Sequence, residues 1–253
     1  MKTVIRLVAA VLFVVVFSGA TCGHKGPTEV SPVQVMKLTD HVYYHNVSIT
    51  YGNGHYYTIN GGSDDWCRLN EYDNQGEFIR SYDVGVDGRT IFFRKADGEL
   101  YVKPFDTDLL KVSLEDEDYD IEVSDAFDNE QSSVGFAPDG RRTYELSEGT
   151  VTVRDFETGE EVKSFAIDRY YNEFGFSSAI AASDKHLFVW GDEDEIVVYD
   201  LNGAYVTSFK LPRKGFWASL SWCNGLLWIA EDADAQDEGG DGYWYGYRLS
   251  GLE

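Results

Sequence analysis

The 253-residue sequence predicts an all-β fold built from one repeated four-stranded unit, and three observations carry that expectation. Runs of β-type alternation meet at tight turn dipeptides in five places: Asn53-Gly54, Asp97-Gly98, Asp139-Gly140, Asp184-Lys185 and Asn224-Gly225. Asn-Gly and Asp-Gly between apolar runs signal hairpins, because both residues tolerate positive φ. The second residues of these pairs stand 44, 42, 45 and 40 positions apart, a period typical of ring-forming repeats. A second hairpin follows in four of the units, as RLNEYDNQGEFIRSYDV (68–84), VKPFDTDLLKVSL (102–114), VRDFETGEEVKSFAI (153–167) and VVYDLNGAYVTSFKL (197–211). Finally, 43% hydrophobic and 15% aromatic residues supply a core and argue against disorder. Strand A, turn, strand B, loop, strand C, turn, strand D is the pattern of a β-propeller blade.

Taken in order, residues 1–20 (MKTVIRLVAAVLFVVVFSGA) read as a signal peptide. Lys2 and Arg6 precede an apolar run from Leu7 to Phe17, and Ser18-Gly19-Ala20 supplies small residues for cleavage. The run is short for a transmembrane helix. Export is therefore expected, to a periplasmic or outer-envelope location. Residues 21–30 form a tether. Gly19-Ala20-Thr21-Cys22 resembles the lipobox of bacterial lipoproteins, which implies lipidation at Cys22; Thr21 and Gly19 depart from that pattern. Simple cleavage after Ala20 is the other reading. Lipidation would leave Cys67 and Cys223 as a pair able to form a disulfide in an oxidising compartment.

Residues 31–253 form the repeat domain. Shared among five units they leave about 45 residues each, whereas six would leave about 37, below the observed spacing. Five four-stranded blades are expected, with six as the alternative. The fifth unit, ASLSWCNGLLWIA (218–230) followed by GYWYGYRLSGLE (242–253), ends where its strand D should begin. Pro32 to Leu38 resembles that missing strand, so the N-terminal strand is expected to complete the last blade and remove two open sheet edges. The blade AIAASDKHLFVWGDEDEIVVYDLNGAYVTSFKL (179–211) resembles the repeat of NHL and related TolB-like propellers, whose rings more often have six blades. That resemblance implies the architecture and leaves function open, because such blades serve many unrelated roles.

In a propeller the D–A and B–C loops share one face, and here they are the long, irregular set. The D–A loops are read as 39–46, 83–89, 114–131, 168–176 and 212–218. They offer the aromatics Tyr43, Tyr44, Tyr170, Tyr171, Phe216 and Trp217, while B–C loops offer Asp64, Asp65 and Trp66. Aromatic platforms beside carboxylates suit a carbohydrate, a cationic ligand or a basic protein segment. The same aromatics would equally serve as packing between blades. Asp232, Asp234, Asp237 and Asp241 are a candidate calcium cluster, although the EF-hand register fails: position 6 is Asp237 and position 12 is Tyr243. No other cofactor is indicated, and five histidines without H-x-H or H-E-x-x-H spacing give no zinc motif.

Predicted strand-A positions carry Ser48, Thr90, Ser132, Ser133, Ser177, Ser178 and Ser219, hydroxyls that supply no acid/base pair. The leading expectation is an exported, monomeric, non-catalytic module that binds a protein or carbohydrate through its D–A/B–C face. The alternative is a propeller hydrolase or lyase using Asp64, Asp65, Asp192 or Asp232. With 44 acids against 21 bases the net charge is −23, and −25 once Lys2 and Arg6 are cleaved away. That charge excludes nucleic acid as a partner. A membrane would be met only through the lipid.

Overall fold

The computed structural model describes residues 29–42, 44–171, 179–232 and 240–252. The export segment, Cys22, Tyr43, Ser177, Ser178, Asp234 and Asp237 lie outside the described residues.

The chain enters on β1 (Ser31–Val42). Blade 1 follows as β2 (His45–Gly52), β3 (His55–Gly61), β4 (Leu69–Tyr72) and β5 (Phe78–Tyr82). Blade 2 is β6 (Gly88–Arg94), β7 (Glu99–Pro104), β8 (Leu109–Ser113) and β9 (Asp118–Val123). Blade 3 is β10 (Val134–Phe136), β11 (Arg142–Ser147), β12 (Thr150–Asp155) and β13 (Glu161–Ala166). Blade 4 is β14 (Ile180–Ala182), β15 (His186–Trp190), β16 (Glu195–Asp200) and β17 (Tyr205–Lys210). Blade 5 takes β18 (Ser221–Cys223), β19 (Leu226–Glu231) and β20 (Gly240–Ser250) from the chain's end and β1 from its start, in the order β1-β20-β19-β18. The protein is thus a five-bladed β-propeller closed by its N-terminal strand, which runs antiparallel to β20 from Ser31↔Ser250 to Val42↔Gly240.

Turn chemistry explains both the hairpins and part of the acidic balance. Asn53-Gly54 and Asn224-Gly225 have positive φ at both residues (53° and 88°, 51° and 72°), as a two-residue hairpin loop requires. Elsewhere an aspartate caps the turn with its own carboxylate. Asp73 Oδ1 accepts the N–H groups of Gln75 and Glu77, and Asp200 Oδ1 accepts those of Asn202 and Ala204.

Two readings of the sequence are corrected. In blade 2, VKPFDTDLLKVSL spans a B–C connection: β7 ends at Pro104, residues 105–108 form the loop, and β8 follows. The outer strand is β9, inside the stretch read as the D–A loop 114–131. Three carboxylates at Asp118, Asp120 and Glu122 and exposure of nearly the whole strand make it resemble a loop in sequence. Likewise β1 runs to Val42 and β2 starts at His45, so 39–46 is mostly strand.

One apolar cluster fills each of the five blade interfaces. Ile59, Leu69, Ile91 and Val102 join blades 1 and 2, and Phe92, Phe127, Phe136 and Phe156 join blades 2 and 3. Leu146, Val151, Ile180 and Val197 join blades 3 and 4. Phe188, Ile196, Leu227 and Tyr247 join blades 4 and 5, and Leu38, Ile49, Tyr72, Trp228 and Trp244 join blades 5 and 1. Around the axis, strand-A hydroxyls stitch one blade to the next. Ser221 Oγ accepts the Ile49 N–H (3.2 Å), Ser48 Oγ that of Ile91 (3.1 Å), Thr50 Oγ1 that of Phe93 (3.0 Å) and Thr90 Oγ1 that of Val134 (2.9 Å). At Gly135 the seam continues without a side chain, since a Cβ there would lie 3.2 Å from Ala182 N and Ile180 O. The cavity lined by Ser48, Thr90, Val134, Ala181 and Ser221 between these strands holds about 20 Å³, room for about one water.

Cys67 and Cys223 do not form a disulfide; both are free and buried. Cys67 sits at the B–C end of blade 1, just before β4, whereas Cys223 ends β18 at the A–B turn on the opposite face. Burial pushes both thiols up, Cys67 to about 11.

Closure is locked by Asp40 on β1, fully buried between blades 5 and 1. Its Oδ2 accepts from Trp244 Nε1 (3.0 Å) of its own blade and Asn46 Nδ2 (2.9 Å) of blade 1. Its Oδ1 accepts from Asn70 Nδ2 (2.7 Å) and the Tyr72 hydroxyl (2.5 Å). Burial raises the carboxyl above its ordinary value, and the bonds from Tyr72, Trp244 and Asn70 oppose that rise. Replacing the carboxylate strands four buried donors. Asp40→Ala is expected to lower the unfolding free energy by about 3 kcal/mol in urea titrations, and a loss under about 1 kcal/mol would remove Asp40 from the closure.

Candidate functional site at the channel mouth

On the D–A/B–C face, where the channel opens, His45, Val47, Gly61, Gly62, Arg89, Gln131, Ser133, Phe216, Trp217 and Ala218 line a cavity of about 370 Å³. The loop before β18 supplies the aromatics. Phe216 is pinned by its N–H to Ala230 O (2.7 Å), and its carbonyl accepts from the Ser219 N–H (2.9 Å) and hydroxyl (2.8 Å). Gly215 is needed just before it, because a Cβ would come within 2.7 Å of the Trp190 ring. Ser219 therefore works as a loop anchor: its Oγ also accepts the Ala230 N–H at 2.8 Å.

His45, the first residue of β2, stacks on Phe216 with ring centroids 5.1 Å apart and planes 23° apart. Its Nδ1 lies 2.6 Å from Asp232 Oδ2, and Asp232 Oδ1 accepts the Asn46 N–H at 3.2 Å. Asp232 thus orients the ring through Nδ1. Across the cavity, Arg89 Nη1 donates to Asp87 Oδ1 (2.6 Å) and Gly88 O (2.8 Å), and the guanidinium lies 4.9 Å from the Phe105 ring. Arg89 is thus paired with Asp87, and His45 with Asp232.

Gln131 and Ser133 reach the cavity from the loop between β9 and β10, held by a buried pair that sequence reasoning missed. Glu145, 1% exposed, accepts the N–H groups of Asp128 (2.9 Å) and Asn129 (3.0 Å) and the Ser132 hydroxyl (2.7 Å). Lys103, 0% exposed, donates from Nζ to Asn129 O (2.9 Å) and Glu130 O (2.6 Å). Both sit among apolar neighbours on B strands; a lone charge in such a run was the signal available.

Of the residues singled out in the sequence, the structure brings Phe216, Trp217 and Asp232 together around His45. Tyr44 packs against Gly62. Asp64 lies in a separate groove between blades 1 and 2. Asp65 is tied into its loop, its N–H donating to Asp64 Oδ1 and its carbonyl accepting from Arg68, and Trp66 is 48% exposed. Tyr170 and Tyr171 pack against the cores of blades 3/4 and 4/5, which makes them interface seals. Asp192 opens a short 3₁₀ turn before β16. Asp241 lies on β20 with its backbone opposite His41. Among the described residues no three His, Cys, Asp or Glu side chains gather as a metal site.

Fold and site together define a five-bladed propeller with a pocket at the channel mouth that carries Phe216 and Trp217 beside His45 and Arg89. No protein-family model matches the sequence, and no curated protein matches it.

Burial lowers the Lys103 ammonium from 10.5 to about 7, opposed chiefly by Glu145. Between those values the unfolded chain holds a proton that the folded chain has released, so this group makes stability rise with pH there. The stability difference between the native protein and Lys103→Met, from urea titrations at several pH values, should grow in favour of the native protein from about pH 7 to 10. A pH-independent difference would show that Lys103 keeps its ordinary affinity for the proton.

Proposed function

We propose that the protein is an exported, non-catalytic binding module whose channel-mouth pocket takes a neutral, ring-bearing ligand, a carbohydrate first of all. The carrying observation is the pairing of aromatic surface with compensated charge. Phe216 and Trp217 offer ring surface for an apolar sugar face, while His45, Gln131 and Ser133 offer polar atoms at its edge. His45 and Arg89 are each matched by an aspartate, which favours an uncharged ligand. Export is supported by the apolar run and small residues of positions 1–20, and a lipid anchor at Cys22 by its place just beyond them.

Calorimetric titration with a panel of oligosaccharides tests this reading. At least one should bind, and Trp217→Ala should weaken it by about tenfold without changing the thermal midpoint. Absence of binding across the panel, or a Trp217→Ala variant that binds normally, would refute it.

One observation favours a hydrolase or lyase as the second reading. An imidazole oriented by a carboxylate at 2.6 Å and facing a cavity is a general-base arrangement. If the pocket is catalytic, product release from a bound oligosaccharide is expected, and His45→Gln should abolish turnover while retaining ligand. Chromatography of ligand incubated with each protein decides, and unchanged ligand with the native protein removes this reading.

A further inference from the structure

Strand β9 differs from every other outer strand of the ring. The other four each carry a base: Lys37 on β1, Arg80 on β5, Lys163 on β13 and Lys210 on β17. A lysine or arginine there is a common guard against unwanted strand pairing. In β9, DYDIEV, there is none; Asp118 and Asp120 alternate with Tyr119 and Ile121, and a bulge at Glu122 then turns Val123 to the core between blades 2 and 3. It is the last strand of its sheet, paired with β8 on one side only.

Beside this edge lies a groove of about 540 Å³ between blades 1 and 2. Phe105, Tyr119 and Ile121 line it at 39%, 40% and 57% exposure, an apolar surface left to solvent. Asp64, Asp106 and Asp108 line it too, and none forms an ion pair with a lysine or arginine among the described residues. Their bonds are local, to the N–H groups of Asp65, Thr107 and Asp125. The groove meets the channel-mouth cavity at Gly62, where Asp87 on the groove side is bonded to Arg89 on the cavity side.

We propose that the β9 edge and its groove dock an extended segment of a partner protein that alternates basic with apolar residues, added as a fifth strand to blade 2. The alternation of β9 dictates that of the guest. Cross-strand neighbours share a face, so bases would stand opposite Asp118 and Asp120, with Glu122 next to them at the bulge, while apolar side chains meet Tyr119 and Ile121 over the groove. Main-chain hydrogen bonds to the open edge would supply the rest of the affinity. A second copy of this chain fits poorly, because its own β9 and net charge of −23 would repel.

The test uses a short fluorescein-labelled peptide of alternating lysine and valine, read by anisotropy. The native protein should bind it, more weakly at high salt, and combined Asp118→Asn, Asp120→Asn and Glu122→Gln should weaken it by about tenfold. These side chains are exposed, so the variant should retain the native thermal midpoint. Trp217→Ala should bind the peptide normally, which separates this site from the channel-mouth reading. Four results would each overturn the proposal: no binding of the peptide, equal binding by the triple variant, equal binding of a peptide N-methylated at alternate residues, or displacement by spermine at the peptide's own concentration. A concentration-dependent dimer abolished by Ile121→Ser would overturn it in favour of a second copy.

Discussion

Asp40 sits at residue 40 of the chain yet bonds Trp244, near its other end, and Asn46, Asn70 and Tyr72 of the neighbouring blade. A carboxylate with no access to water is tolerated only if its oxygens are filled by donors, and these donors assemble only when the first strand joins the last blade. Apolar contact alone would allow β1 to slide along β20. A buried polar set of fixed geometry permits one register, and with it one closed ring.

The channel-mouth pocket inherits that constraint. Its His–Asp pair comes from positions 187 apart: His45 begins blade 1 shortly after the closing strand, and Asp232 directly follows strand B of blade 5. Phe216, on which His45 stacks, enters from the loop that leads into blade 5. These three meet across the interface that Asp40 locks. Strand-A hydroxyls continue the same logic from blade 5 through blades 1 and 2 to blade 3, each accepting an N–H of the next blade, so Ser48, Thr50, Thr90 and Ser221 hold blades together.

The acidic surplus divides into parts with different physical meanings. Asp73, Asp155 and Asp200 shape turns by accepting backbone N–H groups. Asp40 and Glu145 are structural anchors inside the protein, each surrounded by donors. Asp87 neutralises Arg89 at the pocket, and Asp232 holds the His45 ring. Carboxylates along β9 belong to none of these groups: Asp118 accepts the Tyr119 N–H beside it, and Asp118, Asp120 and Glu122 stand exposed along the strand.

The ring was legible in the sequence because its signals are local. Alternating runs, Asn-Gly and Asp-Gly turns and a period near 45 residues require no knowledge of distant contacts, and the truncated fifth unit pointed to the N-terminal strand as its completion. Where the local signal was contradictory, as in DYDIEV, charge hid the strand, because outer strands need bury little and their polarity resembles that of loops. Which aromatics face a ligand and which seal blades, why Cys67 and Cys223 stay apart, and how Lys103 and Glu145 hold a loop all depend on which face and which neighbour a residue meets. By itself the sequence determined the repeat, the turns and the strand that closes the ring. The tertiary structure alone decided the site, because burial and pairing between blades are properties of residues distant in the chain.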